Sequence, residues 1–351
     1  MKHLFKYKWY LKDGYPAPGI SKNNYNVFGT FICGGGSTMG YKLAGFNHLG
    51  GVEIDKRISE VYKINHNPKY LYTQDLREFN KRTDLPDELY KLDILDGSPP
   101  CSSFSMAGNR EKDWNKNKVF REGQTKQILD DLVFVYCETI LKLKPKIFIL
   151  ENVKGLISGN AKVYAKSIIN KLEAGGYKVQ LFLLNAASMG VPQRRERVFF
   201  IGHKKEYQFN KLSLAFNERN ILFKEIDAGD IKGKEYNLRP SHAPYALICK
   251  GGKSLSSVHP KGHCFNTYKQ DNNLVSATIV ADNGGGIMIH SSGKRYLTDD
   301  EYKQIGSFPM DYHFNNMQAK YIIGMSVPPV MIAQIANQIK LQWLMNCNNN
   351  V

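Results

Sequence analysis

The sequence predicts an α/β fold: a Rossmann-like, mostly parallel sheet with helices on both faces, plus a smaller loop-rich unit. Three observations carry this. Strand-like and helix-like segments alternate from Val27 to Ile201, the first strand runs into a glycine turn while the second ends in acid, and all periodicity dissolves beyond Gly202.

The first strand is Val27-Phe28-Gly29-Thr30-Phe31-Ile32, followed by the tight turn Cys33-Gly34-Gly35-Gly36-Ser37 and a helix over Thr38 to Ala44. Gly51 to Asp55 makes the second strand, with a helix after it through Ile64. Glycines let the backbone approach a ligand, and an acid about 20 residues on accepts from ribose hydroxyls. A G-G-G turn lacks the spacing of a pyrophosphate cradle. It therefore fits a nucleoside ligand and weighs against the naive reading of this region as a nucleotide-dependent oxidoreductase.

Thr73-Gln74-Asp75-Leu76 ends a third strand, Leu92 to Leu95 makes a fourth, and Lys146 to Leu150 a fifth that delivers Glu151-Asn152-Val153. Between the last two, Gln127 to Leu143 carries apolar residues at 128, 129, 132, 133, 136 and 140, the period of a helix. Glu53, Asp75, Cys101 and Glu151 then all fall at the carboxyl ends of strands, where ligands gather in such sheets. A sixth strand lies near Val179 to Leu184, and a further one over Val198 to Ile201. Alternation puts Gln193, Arg195 and Arg197 on one face if the extended chain begins early.

Residues 203–275 are rich in Lys, Asn, Gly and Ser without any sustained period. Regular structure returns with Leu274 to Ala281, a helix from Thr298 to Ile305 is capped by Thr298 with Glu301 completing the box, and the last helix runs from Pro329 to Leu344. The expected division is a catalytic, cofactor-binding domain of 1–202 and 310–351 and a small domain of 203–309. Residues 1–26, basic and aromatic-rich with Pro16, Pro18 and Gly19, read as an irregular arm, a packed or frayed terminus in preference to a ligand-contacting one.

Lys and Arg outnumber Asp and Glu by 48 to 32, for a formal charge of +16, which points to a polyanionic partner. No run approaches the roughly 18 consecutive apolar residues of a membrane span, and the N-terminus carries no signal-peptide pattern, so a cytoplasmic protein without membrane contact is expected. The cysteines at 33, 101, 137, 249, 264 and 347 form no CxxC pairs, so neither a zinc site nor a disulfide framework is indicated.

Cys101 is set apart by Pro99-Pro100 directly before it. Proline fixes its own φ and biases its predecessor to extended backbone, so the pair holds the thiol at a defined place beyond the fourth strand. Such a cysteine can serve as a nucleophile once its thiolate is stabilised; the plain alternative is a small core residue.

Together these pieces resemble the DNA (cytosine-5) methyltransferase family of bacterial or phage type. The match runs from about Val27 to Ile339 in the family's order: Phe31-Ile32-Cys33-Gly34-Gly35-Gly36, Glu53, Asp75, Pro99-Pro100-Cys101, Glu151-Asn152-Val153, Gln193-Arg194-Arg195-Glu196-Arg197, Arg295-Tyr296-Leu297-Thr298 and Gly324-Met325-Ser326-Val327-Pro328. The resemblance implies S-adenosylmethionine as methyl donor and a cytosine flipped out of double-stranded DNA as acceptor.

It assigns Cys101 as the nucleophile that adds at C6, Glu151, held partly protonated by burial and its neighbours, as the partner of N3, and Arg197 as a contact to O2 or a flanking phosphate, with Arg195 supporting the catalytic group. The cofactor site it implies comprises Phe31 at the adenine, Gly34, Gly35 and Gly36 at the methionine end, Glu53 on the ribose, Ile54 beside it and Asp75 on the adenine amino group, completed by Leu76, Pro100, Leu132 and Ser326. Expected DNA contacts are Ser102, Ser105, Gln193, Arg239, Lys250 and Lys253, with His242 a further candidate. Three positions depart from the family pattern: Ser102 replaces Gln, Cys33 replaces the first glycine of the turn, and Met325 replaces Asn. The expected partners are DNA and a separately acting restriction endonuclease, with the enzyme itself a monomer. A tRNA cytosine methyltransferase and a non-catalytic DNA-binding protein are the competing readings on the same scaffold.

Overall fold

The structure, a computed structural model, describes residues 3–100, 117–118, 127–128, 132–229, 231, 233–281 and 287–346. Seven strands form its sheet: β1 (Asn26–Thr30), β2 (Asn47–Glu53), β3 (Tyr70–Thr73), β4 (Ile94–Gly97), β5 (Ile147–Val153), β6 (Tyr177–Asn185) and β7 (Glu196–Lys204). Their spatial order is β3-β2-β1-β4-β5-β7-β6, parallel from β3 through β5, with β7 antiparallel to both of its neighbours. The sequence order reverses between β1 and β4. In an open α/β sheet this reversal splays the connections to opposite faces and leaves a crevice at the carboxyl ends.

Helices cover both faces, as the apolar runs of the central strands require. On one side α3 (Leu76–Lys81), α4 (Leu132–Leu143) and α5 (Lys162–Ala174) bury Phe79, Tyr136, Ile140, Ile168 and Leu172 against Phe28, Leu95, Phe148 and Phe200. On the other, α1 (Gly36–Leu43) packs with α9 (Pro329–Ile339) over Val27, Ile94, Ile147, Ile149, Phe199 and Ile201. A third cluster joins α2 (Lys56–His66) to α7 (Asp299–Ile305) and α8 (Ala319–Met325) through Ile58, Val61, Tyr302, Ile305 and Ile322. The apolar stretch Ala319–Leu344 is long enough by composition to cross a membrane, but 89% of its apolar window is buried within the protein, as in a core helix.

Of the packed and frayed alternatives for the N-terminal segment, the structure has the packed one. Phe5 is buried, Trp9 Nε1 donates to Ser307 O at 3.0 Å, and the Leu11 and Lys12 amides donate to the Asp311 carboxylate at 2.6 and 3.0 Å. The capping box is present as well: the Glu301 amide donates to Thr298 Oγ1 at 3.2 Å while Glu301 accepts the Thr298 amide at 2.8 Å.

Two expectations need correction. The helix anticipated from Gln127 begins at Leu132 in the described chain, and Gln127 and Ile128 instead pair antiparallel with Lys118 and Asn117. Leu274 to Ala281 forms no regular element, only an isolated bridge at Ser276. Its backbone groups are satisfied elsewhere: Ser276 O accepts from the Arg194 amide at 2.8 Å, and the Ile279 amide donates to Gln193 Oε1 at 3.2 Å. Side chains and one bridge replace the ladder. Within the stretch beyond β7, a small core of Ala246, Cys249, Leu255, Ile289 and Tyr296 gathers around α6 (Ala243–Ile248), while Phe223, Ile226 and α7 pack into the third cluster.

Candidate active site and cofactor crevice

Glu151 sits near the carboxyl end of β5, and its Oε1 accepts from Arg197 Nε of β7 at 2.9 Å. Register explains the meeting. Glu151 lies opposite Phe199 and Arg197 opposite Val153, and residues two apart on a strand share a face. Both side chains are largely buried, and the Arg197 guanidinium is held below its ordinary basicity by that burial, against the opposing pull of Glu151. A carboxyl and a guanidinium are thus fixed side by side at the strand ends. They offer an acceptor-donor pair to a planar polar ligand.

Gln193 and Arg195 fall on the same side but point inward. Arg195 Nη1 donates to Ile279 O at 3.1 Å and Nη2 to Gly324 O at 3.0 Å, with the side chain almost wholly buried. Gln193 is 1% exposed, its Nε2 donating to Ile305 O at 3.2 Å and its Oε1 accepting the Ile279 amide at the same distance. The expected DNA contact from Gln193 is therefore not available in this conformation, because the amide is already engaged within the chain. Arg195, directly before β7, ties the chain there to Ile279 and to α8.

The crevice between β1 and β4 carries the other expected residues. After β1, Phe31 and Cys33 adopt positive φ of 55° and 46°, and Gly35 follows at 77°. A Cβ on Gly35 would stand 2.1 Å from His66 Nε2, and one on Gly36 would stand 2.1 Å from Val327 O. The turn is therefore open only to glycine at these two positions. Beneath it, Gly34 O accepts from Tyr312 Oη at 2.6 Å and lies 3.2 Å from His66 Nε2, whose ring burial drives down to about 3.

Glu53, at the end of β2, accepts the Cys33 amide on one oxygen and the Asp55 amide on the other, each at 3.0 Å, and burial pushes its carboxyl up to about 7 in spite of those bonds. Ile54 next to it is 37% exposed. Asp75 caps α3 by accepting the Arg77 amide at 2.7 Å and pairs with its guanidinium at 3.2 Å. Leu76 and Leu132 are buried in the α3–α5 core, with Phe31 packed against it. Ser326 ends α8 with its hydroxyl donating to Ile322 O at 2.8 Å, and its Cβ lies against the glycine turn. Pro100 is half-buried just past β4.

Cys101, Ser102 and Ser105 lie outside the described residues. Arg239, Lys250 and Lys253 are exposed around the small core. His242 is not: it is buried, and its Nδ1 meets Tyr296 Oη at 2.7 Å, so a DNA contact from this ring is excluded by its packing. Sequence reasoning missed Asp96, a buried carboxylate on β4 that accepts from Tyr41 Oη at 3.0 Å. An acid directly after an apolar predicted strand was the available signal.

Known proteins similar to this chain are numerous. The family model described as C-5 cytosine-specific DNA methylase matches residues 25–341. The type II methyltransferase M.Sau96I of Staphylococcus aureus is 33% identical, over 98% of this chain and 82% of that protein. M.FnuDI of Fusobacterium nucleatum, also a type II methyltransferase, is 36% identical over 59% of this chain and 57% of its own length. In fold, the chain is similar to a crystal structure of a Spodoptera frugiperda DNMT2 variant, with a TM-score of 0.62 at 17% identity, covering 90% of this chain and 99% of the other.

Proposed function

The chain belongs to the C-5 cytosine-specific DNA methylase family, and from that premise we propose that it methylates C5 of a cytosine flipped out of double-stranded DNA, with S-adenosylmethionine as donor. The observation that carries the reading is the Glu151–Arg197 pair at the strand ends, 2.9 Å apart, beside the crevice and beyond the strand that leads to Cys101. The pair matches the N3 and O2 edge of cytosine.

The chemistry explains why these residue types are needed. C5 of cytosine is a weak nucleophile, so the Cys101 thiolate adds at C6 and converts the ring to an enamine. Glu151 holds N3 while charge develops there, and Arg197 holds O2. C5 then takes the methyl group, a base removes the C5 proton, and Cys101 leaves as thiolate, restoring the aromatic ring. Bound S-adenosylmethionine supplies a methyl group made electrophilic by its sulfonium. The glycine turn fits this donor because backbone stands where any side chain would collide, and Glu53 fits its ribose because the carboxylate is already aimed by two amides. Phe31, Ile54, Asp75, Leu76, Pro100, Leu132 and Ser326 complete the proposed pocket.

Residues 203–309 are proposed as the target recognition domain. Exposed Arg239, Lys250 and Lys253 would contact phosphates, a role that positions the protein without reading sequence. The likeness to type II methyltransferases supports an enzyme of a restriction-modification system that acts beside a separate endonuclease; a cytoplasmic monomer is part of the same proposal.

Duplex DNA carrying 5-fluorocytosine tests the covalent step, since fluorine cannot leave as a proton does. A denaturation-resistant protein–DNA adduct is expected with the wild type and not with Cys101→Ala. Methyl label entering tRNA and not duplex DNA would overturn the substrate assignment.

A further inference from the structure

A polar groove of about 520 Å³ lies in the stretch beyond β7, of ligand-site size but open to the surface. Its lining includes Asp227, His290 and Ser292, together with Lys269, Asp271 and Asn272. The first three are bonded among themselves. His290 Nε2 meets Asp227 Oδ1 at 2.7 Å, the Gly229 amide donates to the same oxygen at 2.7 Å, and the Ser292 amide and hydroxyl lie 3.2 and 2.9 Å from His290 Nδ1. Glu301 stands close enough to complete a metal site with Asp227 and His290, but the Arg295 guanidinium takes both of its oxygens at 2.8 Å. That part of the groove is a fixed wall.

Lys269 and Asp271 differ from it. Both are half-buried, and neither the ammonium nor the carboxylate makes an ion pair among the described residues; Asp271 Oδ1 accepts only the local Asn273 amide, at 2.9 Å. Their backbone is nonetheless held. The Gln270 amide between them donates to Ile289 O at 2.8 Å, the Lys269 amide donates to Lys253 O at 3.0 Å, and Lys269 O accepts from the Gly252 amide at 2.8 Å. Gly251 lines the groove as well, and a Cβ there would stand 2.6 Å from Asp271 Oδ2. The groove therefore opens directly beside Lys250 and Lys253, the exposed lysines assigned above to phosphates.

A carboxylate repels phosphate, so Asp271 does not share the role of those lysines. An ammonium and a carboxylate held near each other and unpaired match the major-groove edge of a G·C pair, where guanine O6 and N7 accept and cytosine N4 donates. An open groove suits the edge of a duplex better than a free metabolite, which its pocket encloses. The chain also limits the distance to the catalytic strand. Asp271 is five residues from Ser276, at most about 18 Å, and Ser276 O accepts the amide of Arg194, three residues before Arg197.

We propose that Lys269 and Asp271 are specificity-determining residues that read one G·C pair of the recognition sequence, other than the pair that holds the target cytosine. The proposal rests on the DNA reading given above.

Methylation of a duplex library randomised around a cytosine, carried out by the full-length protein and read by bisulfite sequencing, tests it. The wild type is expected to require a G·C pair at a position other than the target. Lys269→Met and Asp271→Ala are each expected to relax that one position by about 5- to 150-fold and to leave the others unchanged. Asp271→Asn, which retains the bond to the Asn273 amide should the alanine variant fold poorly, is expected to shift acceptance there toward A·T, since an amide matches adenine N6 and N7. Lys250→Gln is expected instead to lower methylation of all sequences alike. A preference profile unchanged in the Lys269 and Asp271 variants, or lowered evenly across positions, would overturn the proposal, as would a wild-type profile without a second G·C requirement. Methylation of no sequence by the wild type would overturn the DNA reading on which it rests.

Discussion

Arg197 Nε stands 2.9 Å from Glu151 Oε1, each side chain borne on a different strand of the antiparallel β5–β7 pair. The contact joins the last parallel strand of the sheet to its reversed neighbour at the end where ligands gather. Geometry rather than proximity in sequence makes the site.

Removing one half of this pair strands the other. Glu151→Gln is expected to keep the fold and lower the turnover rate by about 100-fold or more, the range for losing a positioned acid–base group. Glu151→Ala leaves the largely buried guanidinium unpaired and is expected to cost on the order of 3 kcal/mol of stability as well. Single-turnover methylation and urea denaturation measure the two effects separately.

Gly35 is held at a φ of 77° with His66 Nε2 where a methyl group would go. Gly35→Ala should therefore push His66 and the turn apart. A loss of S-adenosylmethionine affinity exceeding about tenfold is expected in calorimetry, with DNA binding unchanged in a gel-shift assay.

Gln193 and Arg195 fasten residues 276–279 to the sheet, whereas Lys250 and Lys253 face solvent. Gln193→Ala is expected to lower stability by about 1–3 kcal/mol through the unpaired Ile279 amide and Ile305 carbonyl, without altering the salt dependence of DNA binding. The double change Lys250→Gln, Lys253→Gln should leave stability within about 0.5 kcal/mol and reduce the salt slope by up to about 2. Thermal melts and DNA titrations across salt concentrations separate the two classes.

The carboxyl of Asp96 near 7, against its usual 3.8, makes the folded protein a proton acceptor relative to the unfolded chain. Its stabilisation is present below the unfolded value and is lost as pH rises through about 7. In the ligand-free protein, the wild type is expected to lose stability relative to Asp96→Asn by about 1.4 kcal/mol per pH unit between pH 5 and 7, and to level off above that. Comparison with the variant cancels the buried histidines His48 and His66, which stay neutral and act in the opposite sense.

Much of this was legible in the sequence because the sheet is central and parallel. The stretches Ile94-Leu95 and Ile147 to Leu150 within the predicted runs are apolar on both faces, and the turn glycines mark where β1 hands over to α1. Arg197 and Glu151 could be placed at strand ends from alternation alone. Their mutual contact was not legible, because it depends on the antiparallel register of β7 against β5. Gln193 was expected at the DNA because the resemblance implies it, and nothing local in the sequence marks it as buried. Its burial follows from Ile279 and Ile305, 86 and 112 positions later, which supply the backbone groups its side chain bonds. The same cause hid the irregularity of Leu274 to Ala281, where the Ile279 amide is satisfied by the distant Gln193 side chain.

Bisulfite sequencing of plasmid DNA from cells expressing the wild type or Cys101→Ala bears most directly on the central claim. Protection of cytosines in one short sequence context, present with the wild type and absent with the variant, is the expected result, and it reads out the target at the same time. Absence of protection by a soluble, S-adenosylmethionine-binding wild type, or protection that survives Cys101→Ala, would contradict it.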